Sequence, residues 1–164
     1  MKIGRTKMKT KTLMLIGGVG LGIWLLTRSK PPGDAATISI AGLTPSPVYE
    51  GDLVKLLATI TNLSYKLDTI GNKVYVPATF DIECLVGLSE GTLREYVNSR
   101  QAYSFTAQES KSYGQAFTIP QGHGGELGMA IVVAYDPNGV ELARDFMTFQ
   151  INSLAISYGA SVDI

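Results

Sequence analysis

From Ala36 onward, apolar residues fall on every second position in run after run, the period at which a β-strand turns one face into a core. Ile38 and Ile40 alternate with Thr37 and Ser39, which predicts a short first strand. Turn-rich Thr44-Pro45-Ser46-Pro47 and Glu50-Gly51-Asp52 follow, and then Val54, Leu56, Ala58 and Ile60 share one face of a long strand with Lys55, Thr59 and Thr61 on the other. Residues 62–72 read as a polar loop holding Gly71. Phe80, Ile82, Cys84, Val86 and Leu88 mark the next strand, with Thr79, Asp81 and Glu83 turned outward. Weaker strands are expected over 92–97 and 102–107, and Tyr113, Gln115, Phe117 and Ile119 alternate up to the stop at Pro120.

Leu127, Met129, Ile131, Val133 and Tyr135 face one way, with Gly128, Ala130, Val132 and Ala134 between them. So continuous an apolar run predicts a central strand covered on both faces. Asp136-Pro137-Asn138-Gly139 supplies turn chemistry, proline pre-setting φ and glycine accepting positive φ. The return strand then covers 140–151, with Met147, Phe149 and Ile151 on one face. Seven or eight such strands with no helical pattern after residue 30 predict a mainly β domain, an immunoglobulin-like antiparallel β-sandwich over residues 36–151.

The pattern is different before residue 28. Residues 12–27 are sixteen positions without a charge, fenced by Lys2, Arg5, Lys7, Lys9 and Lys11 on one side and by Arg28 and Lys30 on the other. A helix of that length spans about 24 Å, a minimal crossing of a hydrocarbon core ~30 Å thick. We read it as a transmembrane anchor in contact with lipid through Leu13, Leu15, Ile16, Val19, Leu21, Ile23, Trp24, Leu25 and Leu26. A cleaved secretory signal is the main rival, although Thr27-Arg28-Ser29-Lys30 is a poor small-x-small site. A buried core helix is the third reading. Gly18 and Gly22 form a GxxxG through which two such helices could pack. The basic segment 1–11 outweighs the cations after the anchor, so the N-terminus is expected in the cytoplasm and the β-domain across the bilayer, in a cell envelope or viral membrane. Residues 28–35, with Pro31-Pro32-Gly33, read as a short stalk.

A second informative stretch closes the chain. In residues 152–164, Leu154, Ile156, Tyr158, Ala160, Val162 and Ile164 take the even positions, and small or polar residues take the odd ones. This is strict strand alternation after the sandwich is complete. Either it pairs with the domain's own sheet, or it is an arm that adds to an edge of a neighbouring subunit through Leu154, Ile156, Tyr158, Val162 and Ile164.

Formal net charge is zero, but seven of the fourteen Lys and Arg precede residue 31, where there is no acid. The remainder sets fourteen acidic side chains against seven basic ones, so the head carries about −7, which argues against nucleic-acid binding by that domain. The single cysteine, Cys84, excludes an internal disulfide; in phase with the apolar face, it reads as a buried small hydrophobe. His123, in Gln121-Gly122-His123-Gly124-Gly125, reads as a solvated loop residue: no Gly-x-Ser-x-Gly is present, and one histidine with one cysteine makes no zinc site. Asp81 with Glu83, and Asp136, Glu141 and Asp145 around the last hairpin, are the carboxylate groups that Ca²⁺ chemistry would need, and they read as solvated faces. Asn62-Leu63-Ser64 fits a glycosylation sequon. No cofactor is expected.

Glu50-Gly51-Asp52, the alternating strand ending in Thr61-Asn62, and Phe117-Thr118-Ile119-Pro120 before a central strand resemble bacterial and archaeal CARDB-type immunoglobulin-like modules over residues 36–151. The chain has Arg144-Asp145-Phe146 where those modules carry a glutamate and an asparagine near the last strand. The resemblance implies a cell-surface adhesion or ligand-binding module with its ligand at the membrane-distal loops, around 62–72 or His123. The short anchor, basic leader, missing disulfides and alternating arm resemble, in architecture, the small membrane-spanning proteins of bacterial or archaeal virions. On that reading the chain is a non-enzymatic structural protein whose partners are the lipid bilayer and other protein subunits, in a homo- or hetero-oligomer.

Overall fold

The computed structural model describes residues 35–88 and 97–154, and the side chains of all of these except 97–99. The described part is mainly β, with no helix in it. Ten strands run β1 (Ala36–Thr44), β2 (Val48–Tyr49), β3 (Leu53–Asn62), β4 (Tyr65–Leu67), β5 (Lys73–Tyr75), β6 (Ala78–Leu88), β7 (Val97–Phe105), β8 (Ser110–Thr118), β9 (Leu127–Tyr135) and β10 (Glu141–Asn152). The anchor residues from Leu13 to Leu26, with Gly18 and Gly22, lie outside the described residues, as do most of the weak strand expected over 92–97 and the arm beyond Leu154.

Two sheets face each other, β1-β3-β8 on one side and β2-β10-β9-β6-β7 on the other. The alternation that predicts the strands also builds the core. Val54, Leu56, Ala58 and Ile60 of β3 and Tyr113 and Phe117 of β8 meet Phe80, Ile82, Cys84 and Val86 of β6 and Ala130, Val132 and Ala134 of β9. β9 is central and buried along both faces, as its continuous apolar run predicts. It turns its small residues toward the facing sheet. Met129, Ile131 and Val133 point to the opposite face, where with Leu85 and Tyr135 they form a second cluster.

Three features differ from the expectation. β1 continues past Ile40 because a bulge between Ile40 and Gly42, with φ of +144° at Gly42, shifts the inward phase and brings Leu43 into the core. The chain then crosses between sheets through Thr44–Pro45 and Ser46–Pro47, both cis, and adds the two-residue β2 parallel to β10. The loop expected over 62–72 instead opens a small hairpin, β4 with β5, whose strands are largely exposed. Its turn is closed by Asp68, which accepts hydrogen bonds from the backbone N–H groups of Ile70 and Asn72 at 2.9 and 2.8 Å. A hairpin with no buried face leaves no alternation to read.

Candidate functional site

Strand directions sort the connections into two ends. The chain comes into the sandwich at Ala36, opposite Asn62 of β3. The β4–β5 hairpin, the turn between β7 and β8, and the turn between β9 and β10 lie at this end. The chain leaves at Asn152, next to Tyr49. The Glu50-Gly51-Asp52 turn and the His123 loop lie there, at the opposite end of β3. The two loops named above as ligand candidates, 62–72 and His123, therefore sit at opposite ends of the molecule and cannot form one surface.

One side chain organises each end. Asn62 is fully buried. Its Nδ2 donates to the carbonyls of Val76 and Thr106, at 2.9 and 2.8 Å, and its Oδ1 accepts from the N–H of Ser64 at 2.9 Å. Its own N–H donates to Glu109 O, and the next N–H, of Leu63, donates to Ala35 O. All the side chain's hydrogen-bonding groups are engaged, which is what burial of an amide requires. The sequon reading is overturned on the same geometry: the nitrogen a glycan would need is sequestered between two carbonyls. The triplet is instead an Asx turn, a signal that Asn-x-Ser at a strand end carries in the sequence.

At the other end Glu50 projects its carboxylate into the His123 loop. Oε2 accepts from the N–H groups of Gly122 and Gly124, at 2.8 and 3.3 Å, and Oε1 accepts from the N–H of Leu154 at 3.2 Å. The Gly122 bond, then the Leu154 bond, hold its pKa below the ordinary glutamate value. Asn152 Nδ2 donates to Val48 O at 2.9 Å, and Gly124 lies against Ser153 so closely that a Cβ there would come within 2.6 Å of the Ser153 Cα. The point where the C-terminal segment departs is thus clamped from three directions. Leu154 itself is 52% exposed. Ile156, Tyr158, Val162 and Ile164 lie outside the described residues.

The candidate chemical groups are occupied by structure. Cys84 is buried in the core, and desolvation pushes its thiol up to about 12. His123 is more enclosed than its loop position suggests: its side chain is 17% exposed, and Nδ1 lies 3.1 Å from Glu126 Oε1. Asp81 pairs with Arg100 at 3.5 Å, and that guanidinium stacks 4.3 Å from the Tyr135 ring centroid. Glu83 accepts from the Tyr135 hydroxyl at 2.9 Å; burial, then this bond, pushes that phenol up to about 12. Glu141 pairs with Arg144. Asp145 accepts from the N–H groups of Ile40 and Phe146. Asp136 caps its own turn by accepting from the N–H groups of Asn138 and Val140. Among the described residues no three of His, Cys, Asp or Glu are grouped to hold a metal ion.

No family model matches the chain, and no curated protein sequence does. Solved structures share its shape at low identity. A Bacteroides uniformis beta-glucuronidase is 12% identical with a TM-score of 0.51, over 73% of this chain and 13% of that one. A putative beta-galactosidase from Bacteroides fragilis is 10% identical with a TM-score of 0.50, over 73% and 16%. Spo0M, a sporulation control protein from Bacillus subtilis, is 11% identical with a TM-score of 0.47, over 73% and 50%. The chain thus spans half or less of the length of each of these proteins. The two glycosidase likenesses show a β fold in common and nothing about activity.

Proposed function

We propose that this chain is a non-enzymatic structural protein, an immunoglobulin-like sandwich tethered to a membrane by residues 12–27, that contacts other subunits of a larger assembly such as a virion shell. The observation that carries this reading is the opposite placement of the points where the chain enters and leaves the sandwich. The chain comes in beside Asn62 and leaves beside Glu50, so a head tethered through its N-terminal side presents its C-terminal segment away from the bilayer. On this reading the alternating residues 154–164 add to a neighbouring subunit. The immunoglobulin-like assignment is supported by the Greek-key order, in which β6 and β7, then β9 and β10, leave and rejoin one sheet around β8 of the other. The non-catalytic assignment is supported by a core thiol that does not ionise near neutral pH and by carboxylates committed to turns and pairs.

The test is deletion of Leu154–Ile164, with intact mass and complex size measured in detergent. A head that still unfolds cooperatively but no longer joins the assembly is the expected result. Loss of cooperative unfolding would make the segment an internal strand. A soluble monomer whose mass begins near residue 30 would make residues 12–27 a signal peptide and favour the secreted binding module.

A further inference from the structure

We propose that the free edge of β7 receives the C-terminal arm of a second copy of this chain as an added strand, a step that rests on the assembly reading above. The sandwich has four edges, and three of them are closed or blunted. β1 carries the bulge at Gly42, and its Ile40 N–H is taken by the Asp145 carboxylate at 2.8 Å. β2, two residues long, covers only Ile151 and Asn152 of β10, and the rest of that edge is crossed by β1, whose Ile40 N–H meets Asp145 of β10. β8 presents Lys111, whose ammonium reaches across to the carbonyl of Ser104, and a lysine on an edge discourages pairing.

β7 carries one such contact, Lys111 at the Ser104 carbonyl next to its C-terminal residue, and no other among the described residues. Its nine residues include no proline, glycine or lysine, and Arg100 is folded onto Asp81 and Tyr135 on the outer face of its own sheet. The Lys111 contact also shows that the Ser104 carbonyl points away from β6. Alternation then directs the backbone groups of Asn98, Arg100 and Ala102 to the same open side. Among the described residues no strand pairs there.

Length and reach select the occupant. Residues 154–164 extend to about 36 Å and β7 to about 30 Å, so the two match in length. Within one chain the arm leaves from β10, and β9 and β6 stand between it and β7. An added strand lies one spacing beyond β7, so the gap is four strand spacings, about 19 Å, and uses about six residues before pairing begins. The arm of a second copy has no such detour. Inward-facing Gln101, Tyr103 and Phe105 alternate with outward-facing Arg100 and Ala102 on β7, because their partners on β6 do. An added strand places its apolar face beside Tyr103 and Tyr113, whose rings meet edge to face at 5.9 Å. Leu154, Ile156, Tyr158, Val162 and Ile164 then continue the sandwich interior, and Ala155, Ser157, Ser161 and Asp163 lie on the outer face with Ala102.

The experiment uses full-length chains in detergent, where buried Cys84 stays unreactive. Copies carrying Ala102→Cys are mixed with copies carrying one arm cysteine, at Ala155, Ser157 or Ser161 in one series and at Ile156 or Val162 in the other, and oxidised mildly. We expect cross-links between copies for the odd series, at least tenfold fewer for the even series, and at least tenfold weaker association of an Ala102→Pro variant. An oligomer that cross-links in neither series overturns β7 as the acceptor and leaves the assembly reading standing. Cross-links formed only when both cysteines are in one chain overturn the second copy as the donor. A full-length chain that is monomeric in detergent overturns the assembly reading and this inference with it. Cross-linking does not depend on the proline variant folding.

Discussion

Asn62 and Glu50 do the same job by different physics. Each gathers three backbone segments at one end of the sandwich through a single side chain. Asn62 is neutral and fully buried, so its bonds form where no water can replace them. Glu50 is charged and meets N–H groups at the surface, where water competes for every one. The end at which the chain arrives is therefore locked into the core. The end from which the chain leaves the sandwich is held by bonds that water can replace.

The largest effect follows from cutting the buried hub. Asn62→Ala strands the Ser64 N–H and the Val76 and Thr106 carbonyls, and is expected to lower unfolding free energy by about 3 kcal/mol in urea denaturation. Next comes the packing of the other end. Gly124→Ala drives a methyl group into Ser153, whose Oγ would lie 2.2 Å away, and overpacking of this kind costs about 1–3 kcal/mol. It is expected to shift the thermal midpoint less than Asn62→Ala but to raise protease cleavage near Leu154 more. An equal rise in cleavage near Ala36 would erase the distinction between the ends.

Cys84 sits in the core between them and reports whether either change opens the whole sandwich. Native protein is expected to resist a thiol reagent that labels unfolded protein at once. Asn62→Ala should raise the native labelling rate at least tenfold, and Glu50→Gln should leave it unchanged. Acid gives the smallest and most selective effect. Glu50 titrates below its ordinary value of 4.5 in the folded protein, so its stabilising contribution is complete above that pH and is lost as pH falls through the folded value. Asp68, Glu109 and Asp136 are lowered in the same way by backbone N–H bonds, chiefly those of Asn72, Thr106 and Val140, and share the acid loss. Glu50→Gln should flatten only part of the stability decline below pH 4.5, and with it the acid-induced rise in cleavage near Leu154.

Much of this was readable from residue order. The inward faces of β3, β6, β8 and β10 follow from strict alternation, and the double-sided burial of β9 from its lack of polar positions. Residues with no such pattern were not readable. β4 and β5 bury no face, and β2 is too short to show a period. Asn62 and Glu50 look like ordinary loop-flanking polar residues, because what distinguishes them is the set of distant backbone groups that converge on each. The enclosure of His123 shows only when Glu126 is seen against it.

Side-chain alternation along a strand is a local property, and by itself it determined that this chain is mainly β and which residues are interior. Partner choice is not local. Every residue offers the same backbone N–H and C=O, so nothing in the pattern of β1 says that Ile40 will meet Asp145, 105 positions away, or that β2 will run parallel beside β10. The bulge at Gly42, the order of strands across each sheet and the convergence of loops at each end are settled only when all strands pack at once. Only the tertiary structure decided that the chain arrives at one end of the sandwich and departs from the other.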